Sequence, residues 1–295
     1  MSTQYRPTVE IKGGYQQQEF HYHVPWRTRS ATPGRHHSTQ FGGGYEFHGH
    51  APLVSHPDPR KIDIHASLHD PFGQYVVRTF RQRSSIPVYV IADLSASMGI
   101  QGRQNKMRLL TEFSQCTAYS AYRNGDPFGF IPCSNSILWD LFTPLRWNRG
   151  ITQSLTEKLS HYVPHGQSVD GIMETRDIMG KQRSLVFLIS DFHFPIEFLR
   201  NLLKNLIPHD VVPIVIWDSP ETAFPNWGIV RLIDSESKQE RCLFLRPKLR
   251  ERIIQAYEER RVLLKKTFTE FGREALFLTA PFNADQLTAY FSGNG

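Results

Sequence analysis

The chain has 295 residues, 40% hydrophobic and 21% charged. That is enough apolar material for a sizeable core, so a wholly disordered chain is excluded and one or two domains are expected. Apolar runs such as Leu185 to Ile189 and Val211 to Trp217 fall far short of the ~20 residues that span a bilayer. Three scattered cysteines, Cys116, Cys133 and Cys242, suit neither a disulfide framework nor a Cys-built zinc site. The absence of an apolar segment in Met1 to Glu10 argues against a secretory signal, and a reducing, cytoplasmic setting is expected. The net charge of +6 is mild and spread out: residues 1–85 carry ten Lys/Arg against six Asp/Glu, and the remainder is nearly balanced. Such a balance gives little reason to expect nucleic acid as a partner.

Residues 1–50 read as irregular, rich in Gly, Gln, His and aromatics, with Gly42-Gly43-Gly44 breaking any period. Nine of the 13 histidines lie between His21 and His69. The pairs His21/His23, His36/His37 and His48/His50 raise the idea of a metal store, but none has a recognised zinc spacing, and a polar surface segment is the simpler reading. Pro52, Pro57, Pro59 and Pro71 predict a looping path over Ala51 to Pro71.

At Ile86 the pattern changes. Ile86 to Ala92 is a near-continuous apolar run, as expected for a strand buried on both faces. Lys106 to Arg123 predicts a helix, with Leu110, Phe113 and Thr117 on one stripe and Asn124-Gly125 as its stop. Phe128 to Cys133 and Ile137 to Leu141 predict two strands about a Ser134-Asn135-Ser136 turn. Helices are expected over Ile151 to Ser160, Ser168 to Met179 and Pro195 to Ile207, with buried strands at Ser184 to Ser190 and Val211 to Trp217. Gly228 to Asp234 and Arg241 to Leu245 suggest a hairpin. Pro247 suits the first position of a long helix reaching Phe271, whose mixed charges suggest a solvated face. Ala275 to Thr279 and Ala284 to Phe291 complete the chain as strand and helix.

Buried strands alternating with helices predict an α/β fold with a mostly parallel sheet flanked by helices. It would occupy residues 86–295, preceded by an irregular or β-rich appendage over 1–85. In such sheets ligands sit at the carboxyl ends of the strands. Asp93-Leu94-Ser95-Ala96-Ser97-Met98 follows the first buried strand, and Asp191 ends the one after Ser184. Between them, His165-Gly166-Gln167-Ser168 precedes a helix. Two carboxylates and three hydroxyls at one edge suit a hard divalent cation, which takes about six oxygen ligands. Gly99 to Lys106 lacks the spacing of a nucleotide-binding loop.

Asp93-x-Ser95-x-Ser97, then Ser168, then Asp191 resembles the metal-ion-dependent adhesion site of von Willebrand factor A-like domains, with serine where threonine is usual at 168. The likeness extends outward. Thr32-Pro33-Gly34, Gly42 to Phe47, Pro57-Asp58-Pro59-Arg60-Lys61-Ile62-Asp63, Ala66-Ser67, and Asn124 to Gly129 resemble the domain-of-unknown-function family numbered fifty-eight, encoded beside MoxR-type AAA+ ATPases. The family's lead-in has Trp where this chain has Ile64. That resemblance implies a von Willebrand A-like, Rossmann-like fold and a Mg²⁺ or other divalent ion held by Asp93, Ser95, Ser97, Ser168 and Asp191. It further implies a non-catalytic protein that works with a MoxR-type ATPase on a client. One branch implies methanol dehydrogenase as that client. The same loops allow a second reading, a metal-dependent phosphoester hydrolase with His165 or His193 as base.

Overall fold

A computed structural model describes residues 18–26, 33–100, 104–166, 168–217, 228–233 and 240–293. The apolar run at Ile86 builds the centre of the fold. Strand β3 (Val88–Asp93) is buried at every position. Its side chains alternate between two layers, as a strand's period of two requires. Val88, Val90 and Ala92 enter one core cluster, and Tyr89 and Ile91 enter the other. Strands β4 (Phe128–Cys133), β6 (Leu185–Ser190) and β7 (Asp210–Ile216) repeat this division.

With β5 (Thr143–Arg146) and β10 (Leu276–Leu278) these strands form a six-stranded sheet in the order β10-β7-β6-β3-β4-β5. All pairings are parallel except β4 with β5. Parallel neighbours need crossover connections. On the first face these include α2 (Lys106–Asn124) and α3 (Ile151–Ser160), joined by the closing helix α7 (Ala284–Gly293). The other face carries α4 (Thr175–Met179), α5 (Ile196–Asn205) and α6 (Pro247–Glu270). Helix α2 starts where the Asn105 side chain accepts the Arg108 N–H at 2.9 Å, and it ends at Gly125 with φ of 78°. Both are the caps expected of such residues. Helix α6 buries only Leu264, Thr267 and Phe268. Its outer surface carries pairs such as Gln255 with Glu259 and Arg261 with Glu258.

The structure differs from the sequence reading in three places, two of them in the N-terminal part. Residues 33–50 form most of strand β1 (Pro33–Pro52), antiparallel to β2 (Val76–Ser84). The register shifts around Phe41 absorb the glycine-rich stretch that reads as irregular from sequence alone. The proline-rich stretch is not wholly extended. Asp58 caps a short turn of 3₁₀ helix at Pro59–Lys61, and Asp63 caps α1 (Ile64–Leu68). Third, Ile137 to Leu141 is not a strand. Only an isolated bridge joins Ile137 to Cys133. The Leu141 and Phe142 N–H groups fold back onto the Leu138 carbonyl, so the antiparallel partner of β4 is β5 instead. The expected hairpin is present as β8 (Gly228–Ile233) paired with β9 (Glu240–Leu245); its turn lies outside the described residues.

Phe20, Tyr22 and Val24 are buried in the same cluster as Val88 and Phe187. Asp126, just past the α2 cap, ties this segment down. Its carboxylate accepts bonds from the Tyr22 hydroxyl and from the Ile86 N–H (2.9 Å), and it lies 2.8 Å from His36 Nε2. Burial and the Asp126 carboxylate push the Tyr22 phenol well above its ordinary pKa. Among the described residues no helix is long and apolar enough to cross a membrane.

Candidate metal centre

Register brings the site together. Asp93 pairs with Cys133, and Ala92 with Ile189, so the carboxyl ends of β3, β4 and β6 finish at one edge. Asp93 is completely buried there. Its Oδ1 accepts the Ser95 N–H at 2.9 Å, and its Oδ2 accepts the Ser190 hydroxyl at 2.6 Å. The chain then tightens into a 3₁₀ turn, Ala96–Gly99, with the Met98 N–H donating to the Ser95 carbonyl at 3.0 Å. This turn sets the Ser95 and Ser97 hydroxyl oxygens 3.1 Å apart.

The second loop is Ser190-Asp191-Phe192. Phe192 adopts a φ of 49°, in the left-handed region that a bulky residue avoids. Three contacts hold it there. Its N–H donates to Ser190 Oγ at 2.9 Å, its carbonyl accepts from Arg260 Nη2 at 2.8 Å, and its buried ring meets Phe268 edge-on at 5.3 Å. Asp191, 2% exposed, is fixed by this turn. Its carbonyl accepts the Trp217 indole N–H at 2.6 Å, and its Oδ2 accepts Lys106 Nζ at 2.8 Å. The same ammonium reaches the Ser97 carbonyl at 3.2 Å.

The third loop lies against both the first loop and the turn after β4. The Ala96 N–H donates to the Gly166 carbonyl at 3.3 Å, and Ser134 Oγ donates to the His165 carbonyl at 2.6 Å. Gly166 has a φ of 107°, and a Cβ there would lie 2.0 Å from Ser134 Oγ. Asn135 Oδ1 accepts the Ser168 N–H at 2.9 Å and faces the Ser168 hydroxyl at 3.4 Å. The structure therefore brings Asp93, Ser95, Ser97 and Asp191 into one bonded cluster through Lys106 and Ser190. Ser168 stands on the adjoining loop, engaged with Asn135.

The two carboxyls are driven in opposite directions. Burial, and then the negative charge of Asp191, push the Asp93 carboxyl up to about 6. Burial also acts to raise Asp191, but the Lys106 ammonium, with help from His193 and the Ser97 hydroxyl, outweighs it and holds that carboxyl below its ordinary value. The oxygen atoms gathered here, two carboxylates, two hydroxyls and the Ser97 carbonyl, are of the kind a hard divalent cation takes. The Lys106 ammonium between Asp191 and Ser97 marks a position that already attracts positive charge. Among the described residues no three His, Cys, Asp or Glu side chains gather as a metal-binding group, so any ion here would depend on the serine hydroxyls.

A family model described as "Protein of unknown function DUF58" matches residues 58–263, more than half of the chain. The chain belongs to the DUF58 family. An uncharacterized protein in the moxR 3′ region of Paracoccus denitrificans is 31% identical to this DUF58 chain over 93 residues, which are 31% of this chain and 89% of that protein. An uncharacterized Mycobacterium tuberculosis protein is 31% identical over 98 residues, 33% of this chain and 31% of its own length. Among solved structures, an aerotolerance-related membrane protein from Bacteroides fragilis is similar at 12% identity and a TM-score of 0.44, over 71% of this chain and 98% of that one.

In this DUF58 chain three residues in or beside the cluster, Ser190, Lys106 and Asn135, carry no sequence signal that points to it. Ser190 precedes the Asp191 that the strand-end rule finds, and its hydroxyl bonds the other aspartate. Asn135 sits in a turn read as a simple hairpin connection. Lys106 is the first residue of α2 and reads as an ordinary helix start. The histidines are used otherwise. His36 faces Asp126, His50 faces Asp63 at 3.1 Å, the His165 ring meets the Tyr162 hydroxyl at 3.1 Å, and the His193 ring stacks on Trp217.

Proposed function

We propose that this DUF58 protein is a non-catalytic, Mg²⁺-dependent interaction module of the von Willebrand factor A-like kind. Asp93, Ser95, Ser97 and Asp191 hold the ion, Ser168 contributes from the third loop, and a carboxylate on a partner completes the coordination. Bound there, the ion supplies a positive charge that a partner's acidic side chain recognises. The observation that carries this reading is the Asp93–Ser95–Ser97–Asp191 cluster at the carboxyl edge of a parallel sheet, where ligand sites in such sheets lie. Two carboxylates are buried here with one ammonium between them, and a buried negative charge left without a cation is costly.

The partner in this reading is a MoxR-type AAA+ ATPase, which supplies the energy to assemble, activate or load metal into a client enzyme. Its support is the Paracoccus relative, named for its place in the moxR 3′ region. The hydrolase alternative needs a free base beside the ion. The bonds of His165 to Tyr162 and the stacking of His193 on Trp217 do not favour it.

Calorimetric titration of Mg²⁺ into the full chain tests the site. Binding to the wild-type protein and at least a tenfold loss in Asp93→Ala are expected. Equal affinity in the two proteins contradicts the assignment.

A further inference from the structure

We infer that Lys106 is a tethered counter-ion that keeps the metal site closed, and that a divalent ion enters by displacing its ammonium from Asp191. This rests on the metal-binding reading above and adds to it a mechanism that controls occupancy.

The placement of Lys106 is unusual for a lysine. Only 9% of the residue is exposed, although lysine's long side chain loses much rotamer freedom when buried. It begins α2, and a positive charge at a helix N-terminus is opposed by the helix dipole. The helix therefore does not explain the position. Asp191 and Ser97 do. Nζ lies 2.8 Å from Asp191 Oδ2 and 3.2 Å from the Ser97 carbonyl, joining two of the loops that carry the candidate ligands. One point charge thus performs the bridging that an ion performs in a metal-closed site.

Charge accounting makes the two occupants exclusive. Asp93 and Asp191 together match one divalent ion, leaving the cluster neutral. With the ammonium still in place the cluster becomes positive, and two like charges within a few ångströms in a buried site repel strongly. Without the ion, Lys106 bonds only Asp191, and Asp93 has the Ser190 hydroxyl and the Ser95 amide as its donors. The chain then has two closed forms. The lysine-closed form presents no cation to a partner's carboxylate. The metal-closed form does, so partner capture follows the supply of the ion.

Two measurements on the full chain test this. Calorimetry compares Mg²⁺ binding by wild type and Lys106→Met, which keeps the length and apolar stem but removes the charge. The expected result is at least tenfold tighter binding by the variant, about 1.4 kcal/mol. Equal or weaker binding by Lys106→Met overturns the inference while leaving the metal site standing. No binding by either protein overturns both. The second measurement uses wild-type protein alone and so does not depend on the variant folding. Acylation of lysine amines, mapped by mass spectrometry, should rise severalfold at Lys106 on adding saturating Mg²⁺, with exposed Lys204 unchanged. Unchanged labelling of Lys106, with calorimetric binding intact, also overturns the inference.

Discussion

Asp93 and Asp191 are the same acid in one cluster, yet their surroundings drive their protons apart. Asp93 faces hydroxyl and amide donors and the charge of its neighbour; Asp191 faces an ammonium. The consequence for stability has a definite sign. Burial, and then the charge of Asp191, push the folded Asp93 carboxyl up to about 6, above its ordinary value of 3.8. As pH rises from about 4 to 6 the unfolded chain releases this proton first, so Asp93 costs the fold stability across that window. Asp191, held low, contributes in the opposite sense: its stabilisation is present above the ordinary carboxylate range and is lost as pH falls through its own lower value. Comparing wild type with Asp93→Asn isolates the first effect. In chelator, urea denaturation should show wild type losing on the order of 2 kcal/mol relative to the variant between pH 4 and 7. A difference that does not change with pH contradicts this account of the pair.

At the scale of elements, the site depends on loops that fit closely against one another. The Gly171 N–H donates to the Ser134 carbonyl at 3.0 Å, and a Cβ at Gly171 would lie 2.4 Å from the Ser136 carbonyl carbon. Backbone cannot yield as a flexible side chain can, so Gly171→Ala should separate the third loop from the turn after β4. The expected cost is about 1–3 kcal/mol in urea denaturation, whereas Gly293→Ala, with open space around it, should be near neutral. Equal stability of the two variants would show that the loops are not so tightly joined. The same loops divide what sequence can and cannot reveal. Asp93, Ser95 and Ser97 are legible because they are local to one strand end, and Asp191 because it follows the buried apolar run of β6. The engagement of Ser168 with Asn135 is not, since it crosses 33 residues and rests on a turn whose composition suits any hairpin. Lys106 is hidden for a related reason: its bond to Asp191 crosses 85 residues, and a lysine opening a helix gives no sign of it in the sequence. Strand β1 is missed because pairing with β2, rather than its own polar and glycine-rich sequence, decides its conformation.

On the scale of the whole molecule, the α/β architecture is legible because buried parallel strands need unbroken apolar runs, and β3, β6 and β7 have them. The role of the lead-in is less so. Phe20, Tyr22 and Val24 alternate with His21 and His23, a strand-like pattern too short to assign, yet they complete the core beside α2 and α7. Asp126 secures that addition by gathering Tyr22, His36 and the Ile86 amide. The core so completed backs the strand ends that carry the Asp93–Asp191 cluster. A crystal of the full chain soaked with Mn²⁺ and examined by anomalous scattering would show whether Asp93 and Asp191 hold an ion. One peak bounded by Asp93, Ser95, Ser97 and Asp191 is expected, with the Lys106 ammonium withdrawn from Asp191. Ordered loops with no peak among them, and Lys106 still bonded to Asp191, would contradict that expectation.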